Sequence, residues 1–184
     1  MKKWKVPILL SAVIAAMGVC YRPVWISGAS MAPAFRSHQI ALMDTRYAQT
    51  GGVRLGDVVV FRHGREAYVK RVYALSGDTV TMVRFSNGIC VLSRDDQFIF
   101  KRVCHYVKRH PEKARLERIQ VPNGCMYVLG DNRTASIDSR DFGAVPVSEV
   151  IGRVVSARQA AADVPAHVFS HIPALMARIS SARA

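Results

Sequence analysis

No Cys-x-x-Cys pair occurs in the 184 residues, and the four cysteines, Cys20, Cys90, Cys104 and Cys125, are widely spaced. That removes the spacing on which structural zinc sites and thioredoxin-like redox centres are built, and no cofactor motif is present. Acidic residues are scarce: 13 Asp and Glu stand against 26 Lys and Arg, a formal net charge of +13. So basic a chain implies an anionic partner, yet it has neither an arginine-rich aromatic RNA motif nor zinc-finger spacing. No triad-like motif surrounds any of the six histidines, His38, His63, His105, His110, His167 and His171. Internal repeats and low-complexity segments are absent as well. What remains is a half-apolar composition, enough to fill one core, so one globular domain plus a membrane segment is the expected organisation.

The longest uncharged run is Val6 to Tyr21, sixteen residues between the Lys2-Lys3-Trp4-Lys5 flank and Arg22. It falls short of the ~20 residues a straight membrane helix needs. Trp4 and Trp25 stand outside its two ends, where interfacial aromatics belong, and lengthen the usable span. The lysines keep the N-terminus cytoplasmic and send the rest across, and the same flank makes an acidic lipid surface the preferred anionic partner, with nucleic acid not expected. A cleavable signal peptide cut near Ala16-Met17-Gly18 is the other reading. The retained anchor is preferred, because Ser30 follows Tyr21 by only nine residues, which would hold it at the membrane face.

Beyond the anchor the pattern is mainly β. Gln39–Met43, Val58–Phe61, Tyr68–Leu75 and Val150–Val155 read as strands. Thr79–Phe85 and Ile89–Leu92 flank Ser86-Asn87-Gly88 as a hairpin. Phe98-Ile99-Phe100 begins a further strand, and Glu112 to Ile119 suits a short helix. The basic stretch from Lys101 to Arg118 is either a solvated face or a membrane-surface patch. Cys90 with Cys104 is one bridge open in an oxidising compartment, Cys104 with Cys125 another, and three free thiols a third outcome. The tail from Val164 is apolar but broken by Pro165 and Pro173, so it reads as a surface helix and not as a second span. The expected domains are an anchor over 1–25, a catalytic domain over 26–158 with a small cap over 79–129, and a tail over 159–184.

Ser27-Gly28-Ala29-Ser30-Met31-Ala32-Pro33 is a polar tight turn that places a serine between Gly/Ala and Met-x-Pro. A serine hydroxyl becomes a useful nucleophile only when a base removes its proton, and no histidine is placed for that. A lysine can serve if burial lowers its pKa from ~10.4. Lys70, among Tyr68, Val69, Val72 and Tyr73, is the candidate. Strand alternation turns Arg71 to the opposite side.

Four segments then occur in a recognisable order. They are Gly28 to Pro33; Gly56-Asp57-Val58-Val59-Val60-Phe61; Lys70-Arg71 through Gly77-Asp78; and Gly130-Asp131-Asn132-Arg133 through Ser136, Asp138, Ser139, Arg140, Phe142 and Gly143. With them the chain resembles type I signal peptidases, membrane-bound serine–lysine proteases that remove signal peptides from exported proteins. The resemblance implies a signal-peptidase-like β catalytic domain on a single N-terminal transmembrane helix, facing the periplasm or cell exterior. It makes Ser30 the acyl-forming nucleophile, Lys70 its general base and Ser136 the hydroxyl that orients the lysine amine. Asp138 and Arg140 become a structural ion pair. Many members place a serine hydroxyl two residues before the nucleophile to help the oxyanion hole. Gly28 stands there, so the implied donors are the Ser30 backbone N–H and the Gly28 backbone.

Implied substrates are secreted preproteins lying extended beside an edge strand, with small residues first and third before the cut. The short interval from Asp78 to Gly130 also resembles conjugative-transfer peptidases of the TraF type. These process pilin precursors, some by cyclisation, so a pilin precursor is the alternative substrate. A non-catalytic, membrane-anchored binding protein is the rival from outside enzymology.

Overall fold

The computed structural model describes residues 20–47, 52–88, 90–95 and 97–155. Ten strands dominate: β1 (Tyr21–Ile26), β2 (Gln39–Asp44), β3 (Val58–His63), β4 (Glu66–Leu75), β5 (Thr79–Phe85), β6 (Cys90–Leu92), β7 (Ala114–Gln120), β8 (Cys125–Leu129), β9 (Val145–Pro146) and β10 (Val150–Val155). Helix α1 (Gln97–Arg109) and the single turn α2 (Ser139–Phe142) interrupt them. The strands form a seven-stranded sheet in the order β1-β2-β10-β3-β4-β8-β9 and a three-stranded sheet in the order β6-β5-β7. The expectation of a mainly β fold holds.

The centre of the large sheet is the β3–β4 hairpin, in register from Val58↔Arg71 to His63↔Glu66. Only Gly64 and Arg65 lie between its strands, and Gly64 takes a φ of 64°, the left-handed conformation that two-residue hairpin turns require. Val58, Val59, Val60 and Phe61 are all buried, so β3 is covered on both faces and reads as a continuous apolar run instead of an alternating one. One face packs Val59, Phe61, Val72 and Val128 together; another cluster joins Val58 and Val60 to Ile26, Met31 and Met43. Each such side chain contributes about 1.5–3 kcal/mol on burial. Met31 is 1% exposed, which fastens the turn bearing Ser30 to this core.

Two elements differ from the sequence reading. Phe98 to Phe100 is not a strand but the first part of α1. Phe100, Val103, Cys104 and Val107 are half-buried while Lys101, Arg102, His105, Lys108 and Arg109 are exposed, a spacing with the helical period. Residues 114–119 are not a helix but most of β7, paired along its whole length with β5 from Thr79↔Gln120 to Phe85↔Ala114. Pairing overrode helix propensity here, and a local charge arrangement supports it. Arg84 and Arg115 stand directly opposite, an unfavourable like-charge pair, and Glu117 accepts from both, 3.1 Å from Arg84 Nε and 2.6 Å from Arg115 Nε. The Ser86-Asn87-Gly88 turn does join β5 to β6, with Arg84 opposite Cys90. All four cysteines are free, so neither proposed bridge is present.

Among the described residues no helix is long and apolar enough to cross a membrane. The anchor reading over 1–25 falls outside them as far as residue 19, and residues 21–25, counted there with the anchor, are strand β1. The tail reading over 159–184 also lies outside the described residues.

Candidate active site

Lys70 occupies the middle of β4, opposite Val59, and is 4% exposed. The surrounding sheet strips water from its amine, and that burial pushes its pKa down. Asp138 opposes the change and Arg140 reinforces it, both to a lesser degree. The Tyr68 ring lies 5.8 Å from Nζ and stacks at 5.9 Å on Phe61. Lys70 Nζ donates to Ser30 Oγ at 2.8 Å, a contact across forty residues of chain. Next to it, Arg71 turns elsewhere, as alternation requires: its Nε and Nη2 grip the two oxygens of Asp131 at 2.8 and 2.7 Å. Its Nη1 donates to the Gly56 carbonyl at 2.7 Å.

The loop after β8 closes over the pair. The Asn132 N–H donates to the Ser30 carbonyl at 3.0 Å. A Cβ at Gly130 would sit 2.2 Å from Ser136 Oγ and 2.6 Å from the Ser30 carbonyl oxygen, so only glycine allows this approach. Asp138 is 0% exposed and caps α2 in a reciprocal capping box with Asp141. Burial pushes its carboxyl up, but Arg140, the Gly130 N–H and the Ser136 hydroxyl outweigh this and hold it below the usual range. Arg140 Nε and Nη2 donate to the two Asp138 oxygens at 2.8 and 2.9 Å, and Gly130 N–H donates to Asp138 at 2.9 Å. Ser139 Oγ accepts from the Val128 N–H at 2.9 Å, which ties the turn to β8.

Two sequence expectations meet a different geometry. The Ser136 hydroxyl makes no hydrogen bond to Lys70. It is buried without a partner of good geometry, beside the Asp138 carboxylate that it helps to keep ionised. The Gly28 N–H, expected to face a developing oxyanion, donates to Ser37 Oγ at 3.1 Å. Gly28 has a φ of 83°, so the turn calls for glycine on conformational grounds alone. Sequence reasoning passed over the Arg71–Asp131 fork and Ser37. The basic and acidic members of that fork sit inside the quoted segments, but nothing in sequence shows that they pair across sixty residues. No group of His, Cys, Asp and Glu suited to a metal occurs among the described residues.

This is a sheet protein that buries a lysine amine against a serine hydroxyl on an early turn. A family model described as "Signal peptidase, peptidase S26" matches residues 1–157. The chain is 32% identical over 144 residues to signal peptidase I of Bacillus caldolyticus, covering 70% of this chain and 74% of that one. It is 31% identical over 159 residues to signal peptidase I U of Bacillus subtilis, covering 78% and 79%. A crystal structure of a signal peptidase I from Enterococcus faecalis aligns over 58% of this chain and 98% of that one, at 26% identity and a TM-score of 0.37. The chain belongs to the signal peptidase family, and its class is that of serine peptidases that cleave signal peptides.

Proposed function

We propose that Ser30 and Lys70 are the reacting pair of a leader-peptide endopeptidase. What carries the reading is the 2.8 Å contact of Lys70 Nζ with Ser30 Oγ at a lysine that burial drives toward its neutral form. Once the amine is neutral the hydrogen bond reverses, and the Ser30 O–H donates to the nitrogen lone pair. Oγ attacks the scissile carbonyl carbon as its proton passes to Nζ. Collapse of the tetrahedral intermediate breaks the C–N bond, and the Lys70 ammonium returns the proton to the departing amine. Water then gives a proton to Lys70 as its oxygen attacks the acyl ester. The ester C–O bond breaks, the Lys70 ammonium returns the proton to Ser30 Oγ, and the acid product leaves. The Ser30 N–H is the oxyanion donor in this reading, with the Gly28 backbone shaping the turn. Asp138 and Arg140 hold the Gly130–Arg140 loop against Ser30.

The substrates are exported precursors with small residues at the first and third positions before the cut, bound extended along a sheet edge. The anchor proposed for the N-terminal part of 1–25 ends where β1 begins at Tyr21. The catalytic domain runs from there to 158, with its cap reduced to the three-stranded sheet and α1 because β8 belongs to the large sheet, and 159–184 supplies a surface tail. Trp25 and Ile40, opposed across β1 and β2, are 58% and 63% exposed, an apolar pair suited to the bilayer surface next to the anchor. Mass spectrometry of an Ala-x-Ala precursor incubated with the full chain in detergent tests the reading. A linear cut product from the wild type and none from Ser30→Ala is expected. Normal processing by Ser30→Ala sinks it, and a product lighter by one water would transfer the acyl group to the substrate's own amine.

A further inference from the structure

The three-stranded sheet and its connections reach the loop that closes over Ser30 at two points, and at each an arginine holds a backbone carbonyl. Arg84, near the end of β5, donates from Nη2 to the Arg140 carbonyl at 2.9 Å, while its Nε meets the Glu117 carboxylate of β7 at 3.1 and 3.2 Å. Arg133 donates to the Gly130 carbonyl, and its Nε and Nη2 both meet Asp95, in the turn after β6, at 3.2 Å. Gly130 and Arg140 are the two ends of one segment. Inside it, the Asn132 N–H donates to the Ser30 carbonyl, and Arg140 clamps Asp138, which in turn accepts from the Gly130 N–H. A shift of either end therefore passes through short hydrogen bonds to the turn that carries Ser30.

We propose that Arg84, braced by Glu117, and Asp95, acting through Arg133, are positioning residues with which the cap grips both ends of the Gly130–Arg140 loop and holds Ser30 in line with Lys70. The inference rests on the Ser30–Lys70 reading above. It gives the cap a part in turnover that does not require it to touch substrate. The Arg84–Glu117 side chains are 26% and 19% exposed, the Arg133–Asp95 pair 31% and 36%, so solvent weakens the second grip more. Arg84 also meets two acceptors with separate nitrogens, a geometry that one lysine ammonium cannot reproduce.

The test uses the full chain in detergent, with a precursor peptide as substrate and steady-state kinetics read beside a thermal melt. Arg84→Met keeps the apolar stem and removes the donors. It is expected to lower kcat about tenfold or more, as small misplacement of reacting groups does, with KM changed less than about twofold. Asp95→Asn should act in the same direction with a smaller loss, and Arg84→Lys should fall between wild type and Arg84→Met. Because both grips hold one loop, the double variant should lose less than the product of the single losses. The rising limb of the pH–rate profile should also move to higher pH in Arg84→Met. A loosened loop lets water reach Lys70, whose facing groups are Ser30, Asp138, Arg140 and the Tyr68 ring. Unchanged kcat and pH limb in both Arg84→Met and Asp95→Asn, each folded, would overturn the clamp, as would losses that merely follow the folded fraction. Should Arg84→Met fail to fold, Glu117→Gln reads the same grip. If Ser30→Ala is inactive while Arg84→Met is fully active, only the clamp fails; wild-type turnover by Ser30→Ala removes the Ser30–Lys70 reading and the clamp with it.

Discussion

The seven-stranded sheet and the three-stranded sheet treat charge in opposite ways. The large sheet and its loop take Lys70, Asp138 and Ser139 almost wholly out of water and give each a specific partner. On the small sheet and its helix the basic residues lie outside: Lys101, Arg102, Lys108, Arg109, Arg115 and Arg118 are all exposed. Burial is costly for a charge, and the cost is what moves a lysine toward the neutral amine a general base needs. Exposed charge keeps its water and costs little, so the same residue type performs different work in the two regions. The half-buried cap arginine Arg84 sits at the junction between them.

The contrast is open to attack by mutation, most sharply at the pair itself. Ser30→Ala and Lys70→Ala should each lower kcat by at least about a thousandfold in a peptide-cleavage assay, the scale of losing a nucleophile or its base. Replacing Arg140 by Met leaves Asp138 buried and unpaired, and chemical denaturation should show a loss of about 3–5 kcal/mol. The Asp138 pKa is held below its unfolded value, so the stability it supplies is present above about pH 4 and should drain away as pH falls through the folded value.

The pH dependence of kcat/KM carries a different sign. Only neutral Lys70 accepts the Ser30 proton, so the rate should climb with pH along a limb centred below the ordinary lysine value of ~10.4. A profile flat from mildly acidic to alkaline pH would remove lysine as the base. Burying the charged amine makes Lys70 oppose folding most fully below its lowered folded pKa, and this opposition fades as pH rises from there to the unfolded value. Stability therefore rises with pH through that window. Lys70→Met should abolish activity yet stabilise the protein by about 0.5–2 kcal/mol in a neutral-pH melt, a trade of function for stability. On the small sheet, Lys101→Gln with Lys108→Gln should change stability by less than about 0.5 kcal/mol. A larger change there would mean that the cap's charges are not simply solvated.

Much of the sheet was legible because burial leaves a pattern in local composition. The apolar run Val58–Phe61, the alternation around Lys70 and the Ser86-Asn87-Gly88 turn signal each specify structure within a few residues. The segments containing Gly28, Lys70 and Gly130 likewise carry their family likeness in local order. The misreadings at Phe98–Phe100 and Glu112–Ile119 share another cause. Neither segment shows its partners locally: three apolar residues at 98–100 are too few to reveal a helical period that emerges only over Gln97–Arg109, and β7 exists because β5 offers it a partner 29 to 41 residues away. Local propensity cannot register that pairing.

The chain by itself determined the residue types, a serine in an early turn, a lysine in an apolar strand and a glycine-led loop carrying Asp131 and Asp138, since each depends on near neighbours. Only the tertiary structure decided that the Lys70 amine meets Ser30 Oγ at 2.8 Å, that Arg71 belongs to Asp131, that the Ser136 hydroxyl is buried without a hydrogen bond to the amine and that Arg84 holds the Arg140 carbonyl. The contacts among these join residues forty to sixty apart, set by strand register, bulges and loop closure. The physical reason is range: composition reports what a side chain prefers, and only the closed sheet fixes what it reaches.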